Sequence, residues 1–288
     1  MPYLSIEQFR CGDNLAYLLY GKKEAVAIDG VAWEEILRFL DEHGLSLTYV
    51  TNTHSHFDHV GGNEPLLRHS RARYLDHDEF PDGGTIEIEG EAIRVYRTPG
   101  HTEDSVCFHV GGALITDGAQ TAAAPQSGYM KIPPNPPLTK GGWGDFQTSS
   151  PLPSGMDVSG AVLTGGVLIT GDTLFNGTVG NCFSGDQRAF FRSIKRLLAL
   201  PGDTLIYAGH DYVRDSVAMA EQLEPDNRDI ERFRQAYDPG HVYSTLAEEL
   251  KVNPYLRFNA PAIIALLREN ELPHATEEER WLSLMSIE

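Results

Sequence analysis

The stretch LTYVTNTHSHFDH (47–59) runs an apolar, β-branched strand straight into three histidines and an aspartate. Only 11 histidines occur in the 288 residues, so three within six positions is a concentration that asks for chemistry. Divalent metals are held by neutral imidazoles and carboxylates converging from several directions. In an extended segment alternate residues face the same way, so His54 and His56 are placed to grip one ion together. Asp58 continues that parity, whereas His59 points elsewhere and is expected to serve a second ion. Gly61-Gly62 lets the chain turn close beside the cluster.

One cluster does not complete a two-metal site, and three later segments offer what is missing. TPGHTEDS supplies His101 after a Pro-Gly turn; VLITGDTLF supplies Asp172 and LIYAGHDY supplies His210, each just past an apolar strand. Ligands at the ends of several strands are expected where those ends converge on one rim. The surrounding pattern agrees. AYLLY (16–20) and EAVAID (24–29) read as short strands bounded by turn residues. Trp33, Ile36, Leu37 and Leu40 make one apolar helical face that Gly44 can cap. TIEIEGEAIRVYRT (85–98) reads as a hairpin about Glu89-Gly90-Glu91, and Asp186 opens a second amphipathic helix. Strands mixed with such helices imply an α/β protein with sheets covered by helices. From residue 213 the texture is helical without convincing strands, which reads as a C-terminal appendage (213–288) to a main domain over 1–212.

GGALITDGAQ (111–120) is nearly repeated as GGVLITGDTL (165–174), with a Pro-, Gly- and Ser-rich stretch between them. An insertion over about 111–160, looped or disordered, is expected at a surface turn, where loop-closure entropy grows slowly with length. PPNPPLTKGGWGDF within it also resembles segments left by small repetitive genetic elements; a substrate lid is the alternative reading. Composition narrows the partners. A formal charge of −18 without a Lys/Arg stripe opposes nucleic acid. No apolar run reaches the length of a bilayer span, and the first residues lack a basic segment followed by an apolar one, so the cytoplasm is expected. Cys11, Cys107 and Cys182 are scattered and form no C-x-x-C pair, so neither a disulfide framework nor a thiolate metal site is expected.

H-x-H-x-D-H, followed by a His, a G-D and a late G-H in this order, resembles the metallo-β-lactamase-fold superfamily, and within it the glyoxalase II (hydroxyacylglutathione hydrolase) group. The resemblance spans nearly the whole chain outside the insertion. It implies an αββα sandwich with a binuclear site of zinc, iron or manganese. His54, His56 and His101 would hold one ion, and Asp58, His59 and His210 the other, with Asp172 bridging. Asp117 in LITDGA competes for the bridging role, but Asp172 keeps the family's G-D-T-L-F context. His56 stands where diiron oxygen reductases of this fold carry Glu.

Two such metals generate a hydroxide near neutral pH and stabilise an oxyanion. Attack on a thioester then expels a thiolate that needs no strong general acid, a free thiol having a pKa of about 8.5. Asp58 and Asp172 are the catalytic candidates: Asp58 can orient the hydroxide. STLAEELKVNPYLR (244–257) resembles the glyoxalase II C-terminal signature. It implies that Tyr212 and Arg257 meet a glutathione thioester such as S-D-lactoylglutathione, a carboxylate-binding role that suits a guanidinium. Asn181 and Phe183 stand where longer eukaryotic-type relatives present a Lys and a Tyr, one charge and one hydroxyl fewer. The alternatives are a persulfide dioxygenase with a single iron, or a non-catalytic metal-binding remnant.

Overall fold

In the computed structural model, which describes residues 4–111, 114–115 and 165–287, the expected strands form. In chain order they are β1 (Ser5–Cys11), β2 (Asn14–Tyr20), β3 (Glu24–Ile28), β4 (Ser46–Thr51), β5 (Arg73–Tyr74), β6 (Thr85–Ile88), β7 (Glu91–Arg97), β8 (Val106–Val110), β9 (Leu114–Ile115), β10 (Val167–Gly171), β11 (Leu205–Ala208) and β12 (Ser244–Thr245). They make two mixed sheets, ordered β5-β4-β3-β2-β1-β9 and β12-β11-β10-β8-β7-β6.

Period-2 patterning explains how the sheets stack. Leu15, Tyr17 and Leu19 of β2 join Val26 and Ile28 in facing Val95, Phe108, Ile169 and Tyr207 of the other sheet. The intervening Ala16, Leu18, Ala25 and Ala27 face outward, under Ile36 and Leu40 of the helix Trp33–His43. On the far side, Leu168 and Ile206 are covered by Phe190, Ile194 and Leu197 of the helix Gln187–Leu197, and by Trp281 of a C-terminal helix. The layers are therefore αββα. Gly44 ends the first helix in the left-handed conformation, and the Asp186 side chain accepts from Ala189 N to start the other. In the β6–β7 hairpin Glu89 and Gly90 both have positive φ, 50° and 84°. The Glu89 carboxylate offsets that strain by accepting the backbone N–H groups of Lys23 and Glu24 at 2.5 and 2.9 Å.

The layout fixes where a site can form. β3 and β4 are parallel neighbours joined through a helix, and so are β10 and β11. Their C-terminal ends deliver Asp29, the His54–His59 segment, Asp172 and His210 to one rim, where open α/β sheets bind ligands.

Three departures from the sequence reading stand out. The C-terminal region contributes β12, a two-residue strand paired antiparallel with Leu205 and Ile206, too short to leave a periodic pattern. β1 is absent from the expected strands because its residues mix polar and apolar types on a half-buried ribbon. Within the segment 111–160, Leu114–Ile115 is a strand, pairing in parallel with Ser5 and Ile6. Residues 112–113 and 116–160, Asp117 among them, lie outside the described residues. No helix among the described residues is long and apolar enough to cross a membrane.

Candidate metal centre

β4 ends at Thr51, and the chain bends at Thr53 and His54 before the short helix Phe57–Val60, whose N-cap His56 is extended. That helix start corrects the parity reading. His54 and His56 do share a face, but Asp58, already helical, is turned to the side of His59. The donor atoms form two groups, His54, His56, His101 and Asp172 in one and Asp58, His59 and His210 in the other, with the atoms of each group within 4.8 Å of one another.

Two glycines make the convergence sterically open. A Cβ at Gly62 would lie 1.8 Å from the Gly30 carbonyl, and one at Gly209 would lie 2.2 Å from Asp172 Oδ1 and 2.9 Å from the His59 ring. Any side chain there would push the loops apart.

The imidazoles are oriented from behind. Asp29, fully buried at the end of β3, accepts Thr53 N and Thr53 Oγ1, both at 2.7 Å, and His59 Nδ1 at 3.0 Å. With its proton committed to Asp29, the Thr53 hydroxyl accepts from His54 Nδ1 at 3.0 Å. His101 Nδ1 donates to the Asn181 carbonyl at 2.9 Å. In all three rings Nδ1 makes the outward bond and Nε2 is turned to the site. Asp58 is held differently, by Asn14 Nδ2, which donates to its backbone carbonyl at 3.0 Å and to Oδ2 at 3.1 Å.

The inward-facing donors crowd one another. His54 Nε2 and His101 Nε2 lie 3.0 and 3.1 Å from His56 Nδ1, and His59 Nε2 lies 3.3 Å from His210 Nε2. Asp172 reaches His59 at 3.4 Å through Oδ1, and His101 and His210 at 3.5 Å through Oδ2. Ligands about 2.1 Å from a shared ion sit about 3.4 Å apart at tetrahedral angles and about 3.0 Å at right angles, the spacings found here. Asp172 Oδ1 is buried without a hydrogen-bond partner, as is His210 Nδ1. A buried carboxylate oxygen without a donor is costly and calls for a cation.

For His54 and His101 the electrostatics are consistent with that use. Burial, aided by the neighbouring His59, pushes the His54 imidazole down to about 3. Burial also lowers His101, so both rings are neutral and ready to ligate at ordinary pH. Burial acts against His59 too, but the Asp29 and Asp172 carboxylates overcome it and raise that ring to about 10, so an ion bound there would displace its Nε2 proton. Asp172 is held well below the usual carboxylate range: burial opposes this, and His210 and His59 outweigh it. The Tyr212 phenol is pushed up to about 12 by burial and the Asp13 and Asp172 charges, so it remains a hydrogen-bond donor.

The expected substrate residues are dispersed. Tyr212 stacks on His210, with ring centroids 4.9 Å apart and planes 5° apart, and packs its edge on Phe175. Phe183 is 67% exposed and meets the edges of His56 and His101 at 5.6 and 5.2 Å. Asn181 touches the cluster through its backbone carbonyl, its side chain being exposed. Arg257 gives Nε and Nη2 to the buried Glu224 carboxylate at 2.7 and 2.8 Å. Sequence reasoning misses Asp29, Thr53 and Asn14. For Asp29 a signal exists, since it follows an apolar strand as Asp172 and His210 do.

Known proteins resemble this chain throughout its length. A metallo-β-lactamase superfamily model matches residues 10–79 and 138–210, and a hydroxyacylglutathione hydrolase C-terminus model matches 211–282. The hydroxyacylglutathione hydrolase of Maricaulis maris is 30% identical over 97% of this chain and 95% of its own. That of Brucella ovis is 31% identical over 94% of this chain and 93% of its own. Among solved structures, ETHE1 from Myxococcus xanthus superposes with a TM-score of 0.57 at 19% identity, covering 97% of this chain and 89% of that one, a likeness of fold.

Proposed function

We propose, from the premise that this chain belongs to the hydroxyacylglutathione hydrolase family of the metallo-β-lactamase superfamily, that it cleaves a glutathione thioester such as S-D-lactoylglutathione to a 2-hydroxy acid and free thiol. The observation that carries the reading is the pair of adjoining donor groups with Asp172 reaching residues of both. In it, His54, His56 and His101 hold one divalent ion, Asp58, His59 and His210 a second, and Asp172 serves both. Zinc, iron and manganese all suit such a set. When bound, two ions supply an activated water and a counter-charge for a developing oxyanion.

The chain's own groups do the rest. Asp58, half-exposed where its neighbours are buried and aimed by Asn14, accepts a hydrogen bond from the attacking water and orients it. Asp172 is ionised, and its buried Oδ1 has no hydrogen-bond donor, so it is a ligand and not a base. Tyr212, protonated and fixed against His210, donates to the thiol half of the substrate. Phe183 offers that half an apolar surface where relatives carry a hydroxyl, and Asn181 offers no charge. Arg257 contributes what its pairing with Glu224 leaves free. A departing thiolate requires no acid, and none is placed for it.

A main domain over 1–212, an insertion over about 111–160 and a substrate-binding region over 213–288 complete the proposal. So does a cytoplasmic setting without nucleic-acid or membrane partners, in keeping with the formal charge of −18. The second donor group favours hydrolysis over single-iron oxygenation. Loss of thioester absorbance from S-D-lactoylglutathione, abolished by His54→Ala, is the expected result. Inert, folded, two-metal protein would overturn the reading.

A further inference from the structure

A groove of about 970 Å3 opens beside the metal centre, with none of the metal-donor residues in its lining. The helix Asn63–His69, β5 and the turn His77–Glu79 build most of it. Val60, Leu67 and the exposed Tyr74 ring give it apolar surface. Its charge is negative: Glu64, Asp76, Asp78 and Asp104 line it against a single arginine, Arg68. Arg68 pairs with Glu64, and Arg97 with Asp78 at 2.8 Å. Asp76 and Asp104 have no Lys or Arg partner among the described residues.

Two polar side chains of the lining carry an acceptor that nothing satisfies. His77 is 3% exposed and gives Nε2 to Asp104 Oδ2 at 2.9 Å, a carboxylate that can only accept. With the proton of the neutral ring on Nε2, Nδ1 is an acceptor, and it is buried without a hydrogen-bond partner. It faces Asp76 Oδ1 at 3.8 Å, a second acceptor on a half-exposed side chain. Asn63 shows the same lack. Asn52 donates Nδ2 to the His59 carbonyl at 2.8 Å and so offers Oδ1 to Asn63 Nδ2 at 2.7 Å. Asn63 Oδ1 is thereby left buried without a donor. Buried acceptors without donors are costly.

These features call for one kind of ligand, with several N–H donors, positive charge and an aliphatic frame. A metal ion does not answer them, because neither donor group among the described residues includes His77 or Asp76. We propose that the groove binds a linear aliphatic diamine in its dicationic form. One ammonium sits between His77 Nδ1 and Asp76 Oδ1, where a nitrogen about 2.9 Å from each donates an N–H to both. The methylenes lie on Val60, Leu67 and Tyr74, and the second ammonium serves Asn63 Oδ1.

The site stands apart from turnover, so binding tests it: calorimetric titration of 1,6-diaminohexane into metal-loaded protein at pH 8 and low salt. One diamine per chain is expected, with 1,6-hexanediol, its uncharged counterpart, about tenfold or more weaker. Asp76→Asn keeps an acceptor and removes the charge, and should weaken the diamine about tenfold. Glu34→Gln, an exposed acid on another face, should leave affinity within about twofold. In 15N spectra of the imidazoles, His77 Nδ1 should shift as the diamine is added. No binding, or the diol binding as tightly, would overturn the proposal. So would several diamines per chain or equal loss in both variants, the mark of a general attraction to an acidic surface. Unchanged binding by Asp76→Asn would place the amine on the metals and overturn it too. Should that variant fail to fold, the wild-type His77 Nδ1 resonance decides, and an unmoved signal refutes the site.

Discussion

Replacing Thr53 by Val removes one hydroxyl and almost no volume, yet it should cost the site a metal ligand's support. Thr53 Oγ1 lies between Asp29 Oδ2 at 2.7 Å and His54 Nδ1 at 3.0 Å, with His54 1% exposed. Valine leaves the His54 N–H without an acceptor in a place water does not reach. Stranding a buried donor costs about 1–3 kcal/mol. The ring can avoid that cost only by shifting its proton to Nε2, which destroys the ligand. At about 1.4 kcal/mol per tenfold, the metal at the His54 half-site should bind about 10- to 100-fold more weakly. Protonation does not blur the result, since burial keeps His54 near 3. The other half-site keeps Asp29 on His59 and should change by less than about threefold. Chelator competition at pH 7 reads both affinities, and a melt of the apo-protein reads the fold. Wild-type affinity at both half-sites in folded Thr53→Val would refute the reasoning.

Other consequences are as direct. Asn14→Ala removes both donors that aim Asp58, and kcat on a thioester should fall about tenfold with KM nearly constant, measured by steady-state kinetics at full metal loading. Arg257→Ala leaves Glu224, 4% exposed, without its counter-ion and should destabilise the fold by about 3 kcal/mol in urea unfolding; an unchanged midpoint would contradict the pairing. Burial raises Glu249 to about 7 despite the hydrogen bonds it accepts from Ser244, Asn253 and Gly177. An acid raised in the folded state contributes stability that is complete below its unfolded value near 4.5 and is lost as pH climbs through 7. Between pH 5 and 8 the wild type should lose about 3 kcal/mol that Glu249→Gln, whatever its starting stability, does not lose.

The donor set was legible because imidazoles and carboxylates at strand ends are rare and each follows an unmistakable apolar run: His54 after LTYVTNT, Asp172 after VLITG, His210 after LIYAG. The layers were legible for a similar reason, the alternation in β2 and the helical face of Ile36 and Leu40. Asp58 shows the limit. Its side depends on whether the chain turns helical at Phe57, and four residues of helix leave no periodicity to read. Asn14 and Thr53 act through hydrogen bonds across the fold, over 44 and 24 positions for the pairs with Asp58 and Asp29, and residue type alone does not announce such partners. Arg257 shows the opposite failure: the motif implies a substrate contact, and the fold gives its guanidinium to Glu224.

The claim that the two donor groups work together on a thioester is tested most directly by adding Zn2+ stepwise to apo-protein while following S-D-lactoylglutathione hydrolysis. The account predicts that activity rises only as the second ion per chain binds, and that His210→Ala stops at one ion and stays inactive. Full hydrolysis at one ion per chain, or none at two, would contradict it.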